Sequence, residues 1–461
     1  MSKSLITAPI AGFPEFLPGE QIEFDKMLNV VRRHYQAAGF TPIETPSIER
    51  METLRAAKAG DEVKGQMYRV ARNLDESMTD YGLHFDLTVP FARYVAQHRT
   101  ATGANNQPIM PFPFRRSQIQ KVWRGEKTQG GRYREFYQCD IDAIGDGELS
   151  HLVDAEIPYV MYGIFKELDF GPFMIRINNR KILQGFMANL GLDLDQAKHA
   201  MGILDELEKV GIAAVTTKLN DAFSLSEADA RKLINFMQSQ EGKTVDESLK
   251  FLHQQGIEGL FNAGLVELTE MIEGMRLWGV PESVFCIDLT IARGLDYYTG
   301  NVFETKLINH DIGSICSGGR YDELAGQFTP DQAHLPGVGA SIGLTRLFPR
   351  LVKAGLVNVD RQTVADVLVT SKDHDQMPQY LQIAKDLRDA GIRTELFTEK
   401  TPEKKFFQRQ IKYARNKGYP LMIVASTDDI KAGCVKLENP QTGESTSVVF
   451  NELVEAVKAR L

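Results

Sequence analysis

The sequence predicts an α+β domain built on an antiparallel sheet, interrupted by a helical insertion and followed by a smaller α/β unit. Three textures carry this reading. Strand-like runs over 84–89 and 136–144 enclose a basic stretch punctuated by glycine, residues 181–278 turn helical and acidic, and beyond Ala365 strands alternate with helices. The chain has 461 residues, room for about three domains. With 43% apolar and 25% charged residues it has the make-up of a protein with a sizeable core. The 25 Phe and 14 Tyr spread along it exclude disorder as its main theme.

The first element is a helix over 20–38, where Phe24, Met27, Leu28, Val31 and Tyr35 recur at helical spacing and Gly39 stops it. Residues 40–48 are extended and broken by Pro42 and Pro46. The runs at 84–89 and 136–144 read as strands. In the insertion, Met201, Leu204, Leu207 and Val210 share a helical face, and Ser226 with Asp229 makes a capping-box-like start in which Asp stands in for Glu. Strands resume at 284–289 and 300–307. The expected boundaries are therefore 1–352 for the main domain with its insertion at 181–278, a linker at 353–364, and a last unit at 365–461. In that unit 366–370, 393–397 and 421–425 read as strands and 379–390 and 403–417 as helices, a pattern that predicts a mostly parallel sheet.

Composition narrows function. A net charge of -8 does not suggest a nucleic-acid binder, so any such role must rest on local clusters. No apolar run reaches the roughly 18–20 residues of a membrane span. Pro9 and the lack of a basic cluster or small-residue cleavage site near the N-terminus argue against a signal peptide, so a cytoplasmic protein is expected. Cys139, Cys286, Cys316 and Cys434 form no CxxC pair, the nine histidines show no metal-ligand spacing, and no resident metal is expected. The glycines at 60 and 65 have P-loop spacing, but Gln66 stands where Lys is required. Gly337, Gly339 and Gly343 miss the dinucleotide fingerprint by one residue.

Four constellations remain. Residues 115–134 hold seven Lys/Arg against one acid, Glu126, with Trp123 and Tyr133 flanking a glycine-rich tip. A hairpin so loaded suits a polyphosphate: Arg gives forked donors and Gly permits close backbone approach. The string Arg293-Gly294-Leu295-Asp296-Tyr297-Tyr298-Thr299-Gly300 looks like a binding wall. Cys316-Ser317-Gly318-Gly319-Arg320-Tyr321-Asp322 has a double glycine that lets a backbone approach a ligand. The glycine-rich run from Gly337 ends in Arg346 at an apolar helix start, where an Arg needs an anionic partner.

The hairpin Trp123-Arg124-Gly125-Glu126 with Gly131-Arg132-Tyr133-Arg134-Glu135-Phe136 resembles motif 2 of the class II aminoacyl-tRNA synthetases. Residues 339–346 resemble their motif 3, and the first helix with Thr45-Pro46 resembles motif 1. The strings at 293–300 and 318–322 resemble the two signatures of the histidyl-tRNA synthetase family, and the resemblance covers nearly the whole chain. It implies a mainly antiparallel class II sheet of six to seven strands and an anticodon-binding C-terminal unit. It also implies ATP-dependent attachment of L-histidine to tRNA(His) through histidyl-adenylate, Mg²⁺ bound with ATP, and a homodimer built on motif 1.

The resemblance further implies roles. Arg124 would hold the α-phosphate and the histidine carboxylate, and Arg293 would act on the α-phosphate. Arg346 would clamp the far end of ATP, with Glu126 and Arg132 in the same ATP site. Asp86, Leu87, Thr88, Gln138, Asp142, Tyr297, Tyr298 and Tyr321 would form the histidine pocket, Asp86 and Thr88 toward the ammonium, Asp142 and Tyr298 toward the imidazole. Asp142 shares a strand face with Gln138 and Asp140. In the plain alternative, Asp86 and Asp142 are strand-end acids bonded to backbone. Gln129 at the hairpin tip and Lys405, Arg409 and Lys412 on a helix of net charge +5 would meet tRNA. The rival readings are a non-charging paralogue acting as a regulatory subunit in histidine biosynthesis, a tRNA-binding sensor, and another class II synthetase.

Overall fold

The computed structural model describes residues 7–55, 65–71, 80–103, 105–128, 132–204, 206–223, 225–291, 297–310, 312–399 and 406–461. They form two compact units. The first comprises Leu28–Leu356 and the residues up to Pro14; the second comprises Glu15–Met27 and Val357–Leu461.

The strands of the first unit are β1 (Thr41–Pro42), β2 (Ile48–Arg50), β3 (Arg69–Val70), β4 (Tyr81–Leu83), β5 (Phe114–Trp123), β6 (Glu135–Ile144), β7 (Phe173–Asn179), β8 (Phe285–Ile287), β9 (Asn301–Leu307), β10 (Ser314–Tyr321) and β11 (Gly337–Ile342). Eight of them make one sheet in the order β1-β5-β6-β11-β10-β9-β7-β8. The six inner strands are antiparallel throughout, while β1 and β8 pair parallel at the two edges. Six or seven strands were expected; the further edge pieces are only two and three residues long, and Pro42 suits an edge because it has no amide to donate. The basic stretch is indeed a hairpin, β5 and β6 pairing from Phe114↔Ile144 to Trp123↔Glu135.

The strand expected over 84–89 is corrected. β4 ends at Leu83 and a helix begins at Thr88, started by Asp86, whose Oδ1 accepts from the Val89 N–H at 2.9 Å. A carboxylate on a first-turn amide is a helix start signal, and Pro90 falls in the first turn, where an amide donor is dispensable.

In chain order the helices are α1 (Pro18–Ala37), α2 (Met51–Arg55), α3 (Thr88–His98), α4 (Leu152–Leu168), α5 (Arg180–Asn189), α6 (Leu194–Leu204), α7 (Leu207–Phe223), α8 (Glu227–Gln238), α9 (Val245–Gln254), α10 (Leu260–Leu277) and α11 (Leu344–Lys353). Helices α5 to α10 occupy the stretch expected to be helical. Ser226 caps α8 as predicted, its side chain accepting from Asp229 N at 3.1 Å. The Phe186 and Phe236 rings stack at 3.9 Å in the core of this bundle. Its first and last helices meet at Gly185, where a Cβ would stand 2.4 Å from the Phe261 backbone nitrogen.

The second unit carries β12 (Val367–Val369), β13 (Thr394–Leu396), β14 (Leu421–Val424), β15 (Cys434–Glu438) and β16 (Ser445–Val449), with helices α12 (Met377–Asp389), α13 (Phe406–Lys417), α14 (Thr427–Lys431) and α15 (Leu453–Lys458). Its sheet order is β13-β12-β14-β15-β16. The first three strands are parallel, but β15 and β16 add antiparallel, so the sheet is mixed rather than mostly parallel. A tight turn joins that pair, with Asn439 N bonded to Glu444 O and Gly443 at φ 78°. β16 is largely exposed and lacks the apolar run that marks a buried strand. Gln410 of α13 is fully buried and bonds both the N–H and the carbonyl of Ser371, pinning the helix to the end of β12. The segment from Glu15 joins this unit through Gly19, whose N–H donates to Gln362 Oε1.

Gly185→Ala should overpack the α5–α10 contact, because the obstructing atoms are backbone. The expected loss is about 1–3 kcal/mol in the unfolding of the first unit, measured by denaturant titration; an unchanged midpoint would show that the two helices have room to part.

Candidate active site

Alternation along β6 turns Gln138, Asp140 and Asp142 to one face, and all three line a cavity of about 1230 Å³. Asp86 and Thr88 reach it from the start of α3, Arg124 and Phe136 from the hairpin, Tyr297, Tyr298 and Tyr321 from the strings around β9 and β10, and Arg346 from the first turn of α11. On the far side the cavity extends to Gln240 and Lys243 of the helical insertion.

One end is acidic. Asp142 faces Arg116 across the hairpin in register, and Arg116 Nη2 lies 2.7 Å from Asp142 Oδ2. The phenol of Tyr321 donates to Asp142 Oδ1 at 2.7 Å. Gly339 on the neighbouring strand makes room, since a Cβ there would stand 2.1 Å from Asp142 Oδ1. Burial pushes the Asp142 carboxyl up to about 6, with Arg116 and Tyr321 pulling it down. Burial also pushes Asp140 up to about 7; Arg116 is 3.8 Å away and Asp140 Oδ1 has no hydrogen-bond partner among the described residues. Asp86 is raised by burial too, against the pull of the Val89 amide and Arg124. Asp86 is thus partly spent on backbone, as the plain reading had it, while Asp142 bonds only side chains. Tyr297 packs edge-on against Tyr298 and Tyr321, at 5.1 and 5.8 Å between ring centres. Burial holds all three phenols protonated, so they are hydrogen-bond donors at neutral pH.

The other end is basic. Arg124 donates from Nε to the Phe85 carbonyl at 3.0 Å and from Nη2 to Gln138 Oε1 at 3.5 Å, and its guanidinium lies 4.3 Å over the Phe85 ring. These partners are neutral, so the cation keeps its charge for an anion. Burial, then the nearby Arg346, lower its pKa from the usual value. Gln138 is itself fixed by Ser341 Oγ at 2.6 Å. Arg346 pairs with Glu126 at 2.9 Å and lies 4.0 Å over the Phe136 ring. Arg132 stands 3.9 Å from the same carboxylate.

The cavity therefore gathers Asp86, Thr88, Gln138, Asp142, Tyr297, Tyr298, Tyr321, Arg124 and Arg346. Glu126 and Arg132 attach to its basic end through Arg346. Leu87 differs: its side chain is fully buried among Val122 and Phe136, and its carbonyl accepts from Arg116 Nη2 at 3.4 Å behind the cavity wall, so it does not line the cavity. Arg409 and Lys412 are exposed on α13 of the second unit. Arg293, Gln129 and Lys405 lie outside the described residues.

Sequence reading put Asp140 on the face of Gln138 and Asp142 but gave it no part in the site, and it missed Arg116, Phe136 and the cluster in which Arg176 bonds Asp288, Glu304 and Thr290 on the cavity wall. The same alternation could have given Phe136. Arg116 was visible only as one of seven basic residues, because nothing local shows that it points inward.

The histidyl-tRNA synthetase family profile matches residues 12–347, and that of the anticodon binding domain matches 364–460. The histidine–tRNA ligase of Clostridium tetani is 42% identical over 99% of this chain and 100% of its own length. That of Nostoc sp. is 41% identical over 98% and 97%. The crystal structure of histidyl-tRNA synthetase from Nostoc sp. PCC 7120 superposes with a TM-score of 0.87 at 39% identity, covering 99% of this chain and all of that one. A Bacillus halodurans structure described as an ATP phosphoribosyltransferase regulatory subunit/histidyl-tRNA synthetase reaches 0.71 at 20% identity, over 88% of this chain and 97% of its own, a likeness of fold alone. With both profiles in place and whole-length relatives at about two residues in five, the chain belongs to the histidyl-tRNA synthetase family.

Proposed function

We propose how this enzyme, which charges tRNA with histidine, uses the residues gathered in the cavity. The observation that carries the reading is the cavity's polarity: three carboxylates and three phenols at one end, two arginines with neutral or shared partners at the other. An amino acid with an imidazole side chain fits the first end, and its carboxylate then points to the second. The histidine carboxylate attacks the ATP α-phosphate in line, giving histidyl-adenylate and pyrophosphate, and a ribose hydroxyl of the terminal tRNA adenosine takes the histidyl group. Such a reaction needs placement and charge stabilisation more than covalent catalysis.

Arg124 holds the α-phosphate and the carboxylate, and Arg293 takes the charge that develops on the α-phosphate. Phe136 with Arg346 above it offers two flat faces for the purine, and Arg346 exchanges Glu126 for the far phosphates. Asp86 and Thr88 receive the ammonium group. Asp142 accepts from the imidazole N–H and the Tyr298 phenol donates to the other ring nitrogen. A pocket that demands both a donor and an acceptor rejects apolar isosteres by roughly 10⁴–10⁵. Mg²⁺ comes with ATP as part of the substrate, on the β- and γ-phosphates.

Residues 1–352 carry catalysis around the 181–278 insertion, 353–364 link, and 365–461 meet the anticodon stem. A homodimer rests on the resemblance of α1 and Thr45-Pro46 to motif 1, and a cytoplasmic place on membership of the synthetase family. The regulatory-subunit alternative has less support, because the anticodon-binding profile is present and the whole-length relatives are ligases.

Pyrophosphate exchange into ATP with each amino acid in turn tests the whole reading: only histidine should support it. Arg293→Ala should lower that exchange by about 10²–10³ while histidine binding, followed by calorimetry, changes far less; near-normal exchange would remove the residue from the phosphate. Tyr298→Phe should raise the histidine KM and leave the ATP KM nearly unchanged, and an equal loss of both would mean a folding defect. Changing Lys405, Arg409 and Lys412 together to Glu should flatten the slope of log tRNA affinity against log salt by about 2–3. The same slope with full charging would place the tRNA on another face of this unit.

A further inference from the structure

We propose that Arg116 is a specificity-positioning residue: its guanidinium holds the Asp142 carboxylate ionised and in the single orientation that takes the imidazole N–H of histidine. The inference rests on the reading that Asp142 meets the imidazole, and goes beyond it by naming what makes that acid an acceptor.

Arg116 is 0% exposed and lies behind the cavity wall, so it has no route to the ligand itself. Every contact it makes is fixed. Nη2 meets Asp142 Oδ2 at 2.7 Å and the Leu87 carbonyl at 3.4 Å, Nη1 donates to Gln118 Oε1 at 3.1 Å, and the guanidinium plane sits 4.4 Å over the Phe91 ring. Its Nε is buried with no hydrogen-bond partner among the described residues. Strand packing alone does not call for such a group. Replacing a buried ion pair by apolar side chains is often neutral or stabilising, whereas removing one partner strands the other charge.

The surroundings of Asp142 give the cation its task. Asp140 faces it from the same strand, Asp86 from the start of α3, Tyr297 and Tyr298 from the segment before β9 and Tyr321 from β10. Among the described residues Arg116 is the only cation in ion-pair distance of Asp142. Without it three carboxylates crowd one imidazole, and like charges in a dry site answer by binding a proton. A protonated Asp142 presents an O–H and competes with Tyr298 for the same kind of ring nitrogen, so the donor–acceptor code of the pocket is lost. Tyr321 on the other oxygen fixes the rotation of the carboxylate but supplies no charge.

The test uses the full-length protein and histidine-dependent pyrophosphate exchange across pH about 5.5 to 9, a window that spans imidazole titration. In Arg116→Gln the histidine KM should rise about 10–100-fold, the loss expected for a charged hydrogen bond, with the ATP KM within about twofold. The acid limb of kcat/KM for histidine should move up by about one pH unit or more. The substrate's own imidazole titrates identically in both proteins and cancels from that difference. Arg116→Lys should restore the limb, because the charge returns, but not the full affinity, because an ammonium lacks the fork. A Gln variant with the wild-type limb and histidine KM, or with both KM values raised equally, overturns the proposal and leaves Arg116 as strand packing. Should the Gln variant fail to fold, the Lys variant decides alone: a wild-type histidine KM overturns the positioning role. Asp142→Asn separates the two layers. If it leaves the histidine KM unchanged, the reading of Asp142 fails; if it raises the KM while Arg116→Gln does not, only the role of Arg116 fails.

Discussion

A buried arginine on one strand facing a buried aspartate on the next fixes the register of the hairpin that builds the site. Arg116 and Asp142 are 0% and 2% exposed, and sliding β5 by one residue against β6 would turn one of them to the other face of the sheet. Two uncompensated charges would then sit in a dry interior, a far larger penalty than any lost pair of apolar contacts. The same register sets Gln120 opposite Gln138 and carries the hairpin on to Arg124. Both ends of the cavity thus depend on one ion pair that lies away from the basic end.

The strand spacing then sorts charge. Asp142 lies three residues from Cys139 and four from Gln138, and the alternation puts acids deep in the sheet and Gln138 nearer the hairpin tip, where Arg124 takes its carbonyl oxygen. Acid and base are separated along one strand, a gradient that suits the proposed substrate, whose imidazole would lie at the acid end and whose carboxylate would reach toward the basic one. Asp86 is the exception, close enough to Arg124 for each to act on the other's charge, whereas Asp140 and Asp142 answer to Arg116.

Much of this was legible in the chain. The glycine-punctuated basic stretch gave the hairpin, the helical spacing gave the insertion, and Ser226 gave the start of α8. Failures came where a side chain outweighs a run of strand formers. His84 to Val89 has strand composition, yet Asp86 bonds the Val89 amide and a helix starts at Thr88, two residues before Pro90, which ends the extended segment early. β15 and β16 were missed because each is short: β15 alternates about only two buried residues, Val435 and Leu437, and the edge strand β16 is largely exposed. In the site, the resemblance named most of the acids and tyrosines that line the cavity, but Arg116 could not be told from its basic neighbours. Inward or outward is a property of the sheet, and a run of seven cations reads as one surface until the strands are paired.

Asp140 shows why such a site is not built for stability. Its carboxyl stands at about 7 in the folded chain, against about 3.9 when unfolded. A group raised in this way adds stability that is fully present below the unfolded value and is lost as pH rises through the folded one. At neutral pH it therefore works against the fold, and one of its oxygens has no hydrogen-bond partner among the described residues. Arg116, at 3.8 Å, offsets only part of that penalty because it is already committed to Asp142. A carboxylate kept at this disadvantage beside a donor-lined cavity makes physical sense when a ligand supplies the missing positive charge. Histidine brings an ammonium group, and an imidazole that can bind a proton as well. The acid end of the cavity is then least favourable when empty, and a bound group that carries positive charge would relieve what the folding of the chain leaves unbalanced.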